Sequence, residues 1–154
     1  MQNAIKEIMS TKLETIDVTQ SAQEAAKKMN DKRISSVLVV DGEKQSGEPI
    51  GIVTERDLVI RVCAAGTSSK EIGIREIMSS PIATVEPQAT VETAADLMLS
   101  NKVRHLLVVD EQTRKPVGII APSDLNKYLR ASIDTDEVNA RILDAIKAEE
   151  LTEP

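Results

Sequence analysis

The sequence predicts an α/β protein in which one β-α-β-β-α unit occurs twice. Residues 5–10 read IKEIMS and residues 74–79 read IREIMS, which is an internal repeat with an offset of 69 positions. The offset holds as far as Asp41 and Asp110 and then drops to 67 in the following turn. Loops absorb such length changes at little cost, so this pattern is typical of a duplicated structural unit.

The elements of the first copy follow from local patterns. Ser21 and Glu24 form a capping box, which begins a helix. The β-branched run at 36–40 is typical of a strand buried on both faces. The predicted order is a strand at 14–18, a helix at 21–30, strands at 36–40 and 50–53, and a helix from Thr54 that Gly66 ends.

The second copy repeats this order. Its predicted elements are a strand near Thr84, a helix from Thr90, strands at 106–109 and 117–120, and a helix from about Ser123. We therefore expect two domains at residues 3–66 and 74–131, a linker at 67–73 and a C-terminal segment at 132–154.

A further helix is predicted at 134–150, outside the repeat. Val138, Ile142 and Ile146 recur there at four-residue spacing and form a narrow apolar stripe. The pattern leaves open whether this stripe packs on the chain's own domains or on a second subunit.

The composition disfavours several classes of protein. The 154 residues carry a net charge of −6 and include no Phe or Trp and a single tyrosine, Tyr128. An acidic chain without aromatic platforms is poorly suited to bind nucleic acid. No apolar run is long enough to cross a membrane, and no signal peptide is recognisable. The single cysteine, Cys63, is expected to be buried and fits a reducing compartment, so we expect a cytoplasmic protein.

Two related motifs occupy equivalent places in the copies: GIVTERDL at 51–58 and GIIAPSDL at 118–125. Together with the IMS and VVD segments, they resemble the motifs of the CBS domain, and two tandem copies resemble the pair called a Bateman module. The resemblance covers residues 3–131 and implies two domains related by a pseudo-twofold axis, with two clefts between them. It also implies a homodimer without catalytic activity. The implied regulatory ligand is an adenine nucleotide (AMP, ADP or ATP) or S-adenosylmethionine, and no cofactor is required.

The first motif predicts a ribose and phosphate site. Thr54 lies at a strand-to-helix junction, where phosphate is favoured, and Arg56 offers planar donors to phosphate. The Asp57 carboxylate suits two ribose hydroxyls. A simpler interpretation is that Thr54 and Asp57 only cap the helix.

The second motif departs from the first. Ala121 stands where the first copy has a threonine, Ser123 offers a substitute hydroxyl, and Asp124 keeps the carboxylate. We therefore expect the cleft marked by Asp57 to bind a nucleotide more strongly than the cleft marked by Asp124.

Arg104 and His105 begin a strand that, in nucleotide-binding proteins of the resembled family, often supplies basic side chains to phosphates. The alternative interpretation is two solvated polar residues at the start of a strand. His105 is the only histidine and has no Cys or His companions at the spacing of a zinc site, so no metal is expected. No catalytic motif is recognisable.

The favoured hypothesis is a stand-alone module that binds an adenine nucleotide between two domains and signals to a partner protein by a change in their relative angle. The alternative is a dimerisation or scaffold protein with vestigial clefts, which the missing hydroxyl at Ala121 supports. An enzyme is disfavoured because no catalytic constellation assembles. The sequence does not identify the regulated partner.

Overall fold

The computed structural model describes residues 3–44, 46–132 and 135–150. Its strands are β1 (Thr15–Asp17), β2 (Ser36–Val40), β3 (Gly51–Thr54), β4 (Thr84–Val85), β5 (Leu106–Val109) and β6 (Pro116–Ile120). They form two three-stranded sheets, β1-β2-β3 and β4-β5-β6. In each sheet the first strand runs parallel to the second, and the second runs antiparallel to the third.

The helices are α1 (Ala22–Lys32), α2 (Glu55–Leu58), α3 (Ile74–Ile77), α4 (Val91–Asn101), α5 (Pro122–Ser132) and α6 (Thr135–Glu150). A 3-10 turn lies at Ile5–Glu7, and α2 continues as a π-helical turn at Val59–Cys63. The capping box of α1 is present, since the Glu24 N–H donates to Ser21 Oγ and the Ser21 N–H donates to Glu24 Oε2. The predicted α/β fold with two β-α-β-β-α units is confirmed.

Each repeat contributes its first segment to the core of the other repeat. Ile5, which begins the first repeat, is fully buried in the hydrophobic core of the second. Ile74 and Ile77 of α3, which begin the second repeat, are fully buried in the core of the first. Each of these hydrophobic cores therefore contains residues from both of the sequence ranges predicted for the two domains.

Backbone hydrogen bonds hold these exchanged segments in place. Ser10 and Ile119 exchange two N–H···O bonds of 2.9 and 2.8 Å. Ser79 and Ile52, at the equivalent positions, exchange two bonds of 2.8 and 3.0 Å. This symmetry of bonding is what a pseudo-twofold axis between the repeats requires.

An aliphatic cluster joins the two sheets. It consists of the buried side chains of Leu38, Ile52, Leu107 and Ile119. These are two pairs of equivalent residues, one from each repeat, so the cluster obeys the same pseudo-twofold relation. Burial of these four side chains stabilises the pairing of the repeats by the hydrophobic effect.

The C-terminal helix is present as α6, although its predicted start at residue 134 and the side chain of Val138 lie outside the described residues. Three of its apolar side chains are about half exposed: Ile142, Leu143 and Ile146. Within the described ranges, no helix is long and apolar enough to cross a membrane.

The expectation that Cys63 is buried was wrong, because its side chain is exposed. The reason is the π-helical turn that Cys63 ends. This turn departs from the α-helical repeat and places Val62, rather than Cys63, in the core of the first repeat.

Gly118 lies where β6 meets the exchanged segment that contains Met9 and Ser10, and we expect any side chain at this position to lower stability. A Cβ atom there would lie 2.5 Å from Met9 Sδ and 2.9 Å from the Ser10 carbonyl oxygen. Gly118→Ala should lower the free energy of unfolding in urea by about 1–3 kcal/mol, because the contacted backbone is itself hydrogen-bonded. The equivalent Gly51→Ala should cost less, since a Cβ atom there would lie farther from both neighbours, 2.7 Å from Met78 Sδ and 3.1 Å from the Ser79 carbonyl oxygen. Equal losses in the two variants would contradict this account.

Candidate functional site

A cleft of about 730 Å³ lies between the two repeats. Its size falls within the range of about 300–1,000 Å³ that is typical of small-ligand sites. The first repeat contributes the end of α1 and the start of β2, and the second contributes the first turn of α5. The polar and charged residues that line it are Ser10, Lys12, Asn30, Arg33, Ser35, Ser36, Glu55, His105, Ser123, Asp124 and Lys127.

Asp124 presents one free carboxylate oxygen to this cleft. Its Oδ2 accepts a hydrogen bond of 2.9 Å from the Ala121 N–H and so caps α5. No residue in the described part of the chain donates a hydrogen bond to its Oδ1, although Asp124 is only 8% exposed. A carboxylate oxygen in this state can accept hydrogen bonds from the hydroxyls of a ligand.

The equivalent carboxylate of the first repeat, Asp57, is engaged at both oxygens. Its Oδ2 accepts hydrogen bonds from the Thr54 N–H (2.9 Å) and the Thr54 Oγ1 (3.1 Å). Its Oδ1 accepts a hydrogen bond from Ser79 Oγ (3.2 Å) and lies 3.8 Å from Arg61 Nε. This geometry favours the capping interpretation of Thr54 and Asp57, and it also ties an exchanged segment to the first repeat.

Two differences between the repeats remove partners of the Asp124 carboxylate, one at each oxygen. Tyr128 stands at the position equivalent to Arg61, and Ala121 stands at the position equivalent to Thr54. The arginine that contacts Oδ1 and the threonine hydroxyl that bonds Oδ2 are therefore both missing around Asp124. The position of Ser79 is kept as Ser10, but no hydrogen bond joins Ser10 to Asp124 in the described part of the chain.

His105 lies at the junction of the two repeats. Its Nε2 and the Ser35 Oγ are 2.9 Å apart and share a hydrogen bond. Burial lowers the pKa of His105 below its ordinary value of 6.5, against the opposing effect of the carboxylates of Glu55, Asp124 and Asp57. The imidazole is therefore mainly neutral at pH 7, and an anion placed in the cleft would favour its charged form.

The structure brings together only part of the predicted site. The predicted residues that line the cleft are His105, Ser123 and Asp124. The predicted residues that do not line it are Thr54, Arg56, Asp57 and Arg104.

Sequence reasoning missed the cations of the cleft. These are Lys12, Arg33 and Lys127. The position of Lys127 could have been found, because it lies three residues after Asp124 on one helix face. Lys12 and Arg33 come from the other repeat, and only tertiary packing brings them to this cleft. Among the described residues, no group of His, Cys, Asp or Glu side chains is arranged to hold a metal ion.

The lowered pKa of His105 predicts a pH dependence of stability. The unfolded chain binds a proton at this imidazole more tightly than the folded chain does, so stability is lost as the pH falls through 6.5. Between about pH 7.5 and pH 5.5, the free energy of unfolding should fall more steeply in the wild type than in His105→Gln, whose amide can still bond Ser35. Urea titrations at both pH values measure this difference. Parallel pH dependence in the two proteins would contradict it.

Comparison with known proteins supports the architecture described above. The CBS domain family matches the chain twice, at residues 5–63 and 74–131. MK0525 of Methanopyrus kandleri, an uncharacterized protein, is 40% identical over 121 residues, which are 77% of this chain and 60% of that protein. The chain thus spans about three fifths of the length of this relative.

Two further proteins resemble most of the chain. The CBS domain-containing protein YhcV of Bacillus subtilis is 31% identical over 80% of this chain and 83% of its own length. The crystal structure of the CBS domain pair of protein MJ0100, in complex with 5-methylthioadenosine and S-adenosylmethionine, superposes with a TM-score of 0.73. It is 26% identical and covers 86% of this chain and all of that one. With both repeats matched, the chain belongs to the CBS domain family and carries two CBS domains in tandem.

Proposed function

We propose that the chain is a regulatory module that binds an adenine nucleotide in the cleft between its two CBS domains and signals this binding to a partner protein. The observation that carries this proposal is the free Oδ1 of Asp124, a residue that lines a cleft which also holds three cationic side chains. A carboxylate oxygen without a donor from the protein can accept hydrogen bonds, and ribose hydroxyls provide two donors.

The parts of a nucleotide have chemical counterparts in the cleft. The carboxylate of Asp124 suits the ribose, and the apolar side chains of Met29 and Ile119 suit the adenine ring. Lys12, Arg33 and Lys127 supply positive charge for phosphates. The N-terminus of α5 lies in the same cleft and adds its partial positive charge.

The cleft lining carries three cations against the two carboxylates of Glu55 and Asp124, and this balance favours a phosphate-bearing ligand. The MJ0100 domain pair binds two adenosyl compounds, which supports adenosine as the common part of the ligand. S-adenosylmethionine carries a positive sulfonium, whereas AMP, ADP and ATP carry negative phosphates. We therefore rank the adenine nucleotides above S-adenosylmethionine for this chain.

A ligand in this cleft can alter the relative orientation of the two domains. Both domains line it, and the hydrogen bond between Ser35 and His105 crosses from one domain to the other. A ligand that contacts both sides stabilises one relative position over others, and a partner protein can distinguish these positions. In this account the module regulates a partner and catalyses no reaction itself.

The two motif carboxylates should respond differently to substitution. Asp124→Asn should weaken AMP binding by about 1–3 kcal/mol in titration calorimetry, because the ribose loses a charged acceptor. Asp57→Asn, the matched control, should bind AMP within about twofold of the wild type, but it should lose about 1–3 kcal/mol of unfolding free energy in urea. Loss of AMP binding in Asp57→Asn together with normal binding in Asp124→Asn would reverse the assignment of the site.

A second candidate function is a dimerisation or scaffold protein whose clefts bind no nucleotide. The exposed apolar side chains of Ile142, Leu143 and Ile146 on α6 favour it, because such a stripe is stabilised by a partner surface. Absence of binding of AMP, ATP and S-adenosylmethionine to the wild type at millimolar concentration would make this the better account.

Both candidates include a homodimer formed through α6. Light scattering at micromolar concentration should give twice the chain mass of 16.8 kDa. The double variant Ile142→Glu and Ile146→Glu should give a monomer, because it places charges in the proposed interface. A monomeric wild type, or an unchanged mass in the double variant, would exclude this interface.

A further inference from the structure

The three cations of the nucleotide cleft differ in what the fold already does with them. Lys12 Nζ donates a hydrogen bond to the Lys32 carbonyl oxygen, so its ammonium serves the end of α1, where carbonyl groups lack helical partners. In the described part of the chain, the side chains of Arg33 and Lys127 make no hydrogen bond or ion pair. Arg33 and Lys127 are therefore the cations whose donors remain available to a ligand.

Arg33 stands at a backbone position that favours glycine. It follows the last residue of α1 with a φ of 53° and a ψ of 49°, which is the left-handed conformation. A side chain makes this conformation unfavourable, and helices commonly place glycine there. The first repeat nevertheless holds an arginine at this position, and its side chain lines the cleft.

The second repeat provides a matched comparison for Arg33. Lys102, at the equivalent position after α4, has the same conformation, with a φ of 55°. A cation near the end of a helix is favoured by the helix dipole, which gives both residues the same structural role. Lys102 does not line the nucleotide cleft, whereas Arg33 does. The two residues therefore share the structural role and differ in their access to a ligand in this cleft.

Arg33 and Lys127 reach the cleft from different domains. Arg33 belongs to the first repeat, and Lys127 lies on α5 of the second, three residues after Asp124. Side chains at this spacing are neighbours on a helix surface, with about 5–6 Å between their Cβ atoms. The 5′ phosphate of a nucleotide is attached to its ribose, so a ribose bound by Asp124 places the phosphate close to Lys127. The other wall of the cleft, which carries Arg33, then faces this phosphate.

We propose that Arg33 and Lys127 form a phosphate clamp across the two domains, which makes the cleft specific for nucleotides over adenosine. This inference rests on the proposed nucleotide site. The planar guanidinium of Arg33 donates to the phosphate from the first domain, and the ammonium of Lys127 donates from the second. Adenosine offers the same ribose and base but no phosphate, so it cannot link the two domains in this way.

Titration calorimetry of the full chain with AMP and with adenosine tests the clamp. At about 0.15 M salt, the wild type should bind AMP at least about tenfold more tightly than adenosine. Arg33→Gln and Lys127→Gln should each weaken AMP binding by about fivefold to tenfold and leave adenosine binding within about twofold, because the lost charges contact only the phosphate. Equal weakening of both ligands by either variant would overturn the clamp.

Matched variants separate the clamp from the overall charge of the chain. Lys102→Gln removes the same charge at the equivalent position of the second repeat, and Arg130→Gln removes a charge of α5 outside the cleft. Both should leave AMP binding within about twofold, because salt screens distant charges. Losses in these controls as large as those in Arg33→Gln and Lys127→Gln would contradict the proposal.

The double variant Arg33→Gln with Lys127→Gln tests whether both cations hold one phosphate. Residues that bind the same group are coupled, so the combined loss of AMP affinity should be smaller than the product of the two single losses. A combined loss equal to that product would show that the two cations act independently, which contradicts a shared phosphate.

A glycine variant separates binding from stability. Arg33→Gly should weaken AMP binding as much as Arg33→Gln does, although its midpoint of unfolding in urea should be at or above that of the wild type, because glycine relieves the left-handed strain. Lys102→Gly should show the same stability with normal AMP binding. Normal AMP binding in Arg33→Gly would overturn the clamp.

Failure of the clamp and failure of the proposed function give different results. A wild type that binds AMP and adenosine equally would overturn the clamp and leave the nucleotide cleft in place. A wild type that binds neither ligand at millimolar concentration would overturn the proposed function and the clamp with it.

Discussion

The rest of the structure depends on one constraint: the first segment of each repeat exchanges backbone hydrogen bonds with the last strand of the other repeat. Ser10 pairs with Ile119, and Ser79 pairs with Ile52. These bonds cover the outer edges of β3 and β6, which would otherwise present unpaired donors and acceptors. They also bury Ile5 in one core and α3 in the other, so neither repeat has a complete core without its neighbour. The cleft between the repeats therefore has fixed walls.

Within this shared framework, the equivalent carboxylates of the two copies make different contacts. In the first copy, Asp57 binds Ser79 and Arg61 and secures the exchanged segment. In the second copy, Tyr128 replaces the arginine, and Asp124 is left with an oxygen that faces the cleft. Because the framework is shared, the second copy shows that the fold does not require the contacts that Asp57 makes with Arg61 and Ser79.

Local patterns predicted the order of the elements well. The capping box of Ser21 and Glu24 and the β-branched run of β2 depend on near neighbours in the chain, so they can be read from the sequence. The exchange of first segments could not be predicted, because a repeat offset does not show which core a segment enters. The different contacts of Asp57 and Asp124 were equally hidden, since those of Asp57 include Ser79, which lies 22 positions away in the chain.

The central claim is that a nucleotide occupies the cleft beside Asp124, and the imidazole of His105 reports on it most directly. His105 is the only histidine of the chain, so the proton on Cε1 of its ring gives a single assignable NMR signal. During titration with AMP this signal should shift, and its pKa should rise, because a phosphate in the cleft stabilises the imidazolium against the burial that now disfavours it. Binding of AMP that leaves both the signal and the pKa of His105 unchanged would place the nucleotide elsewhere and contradict the account.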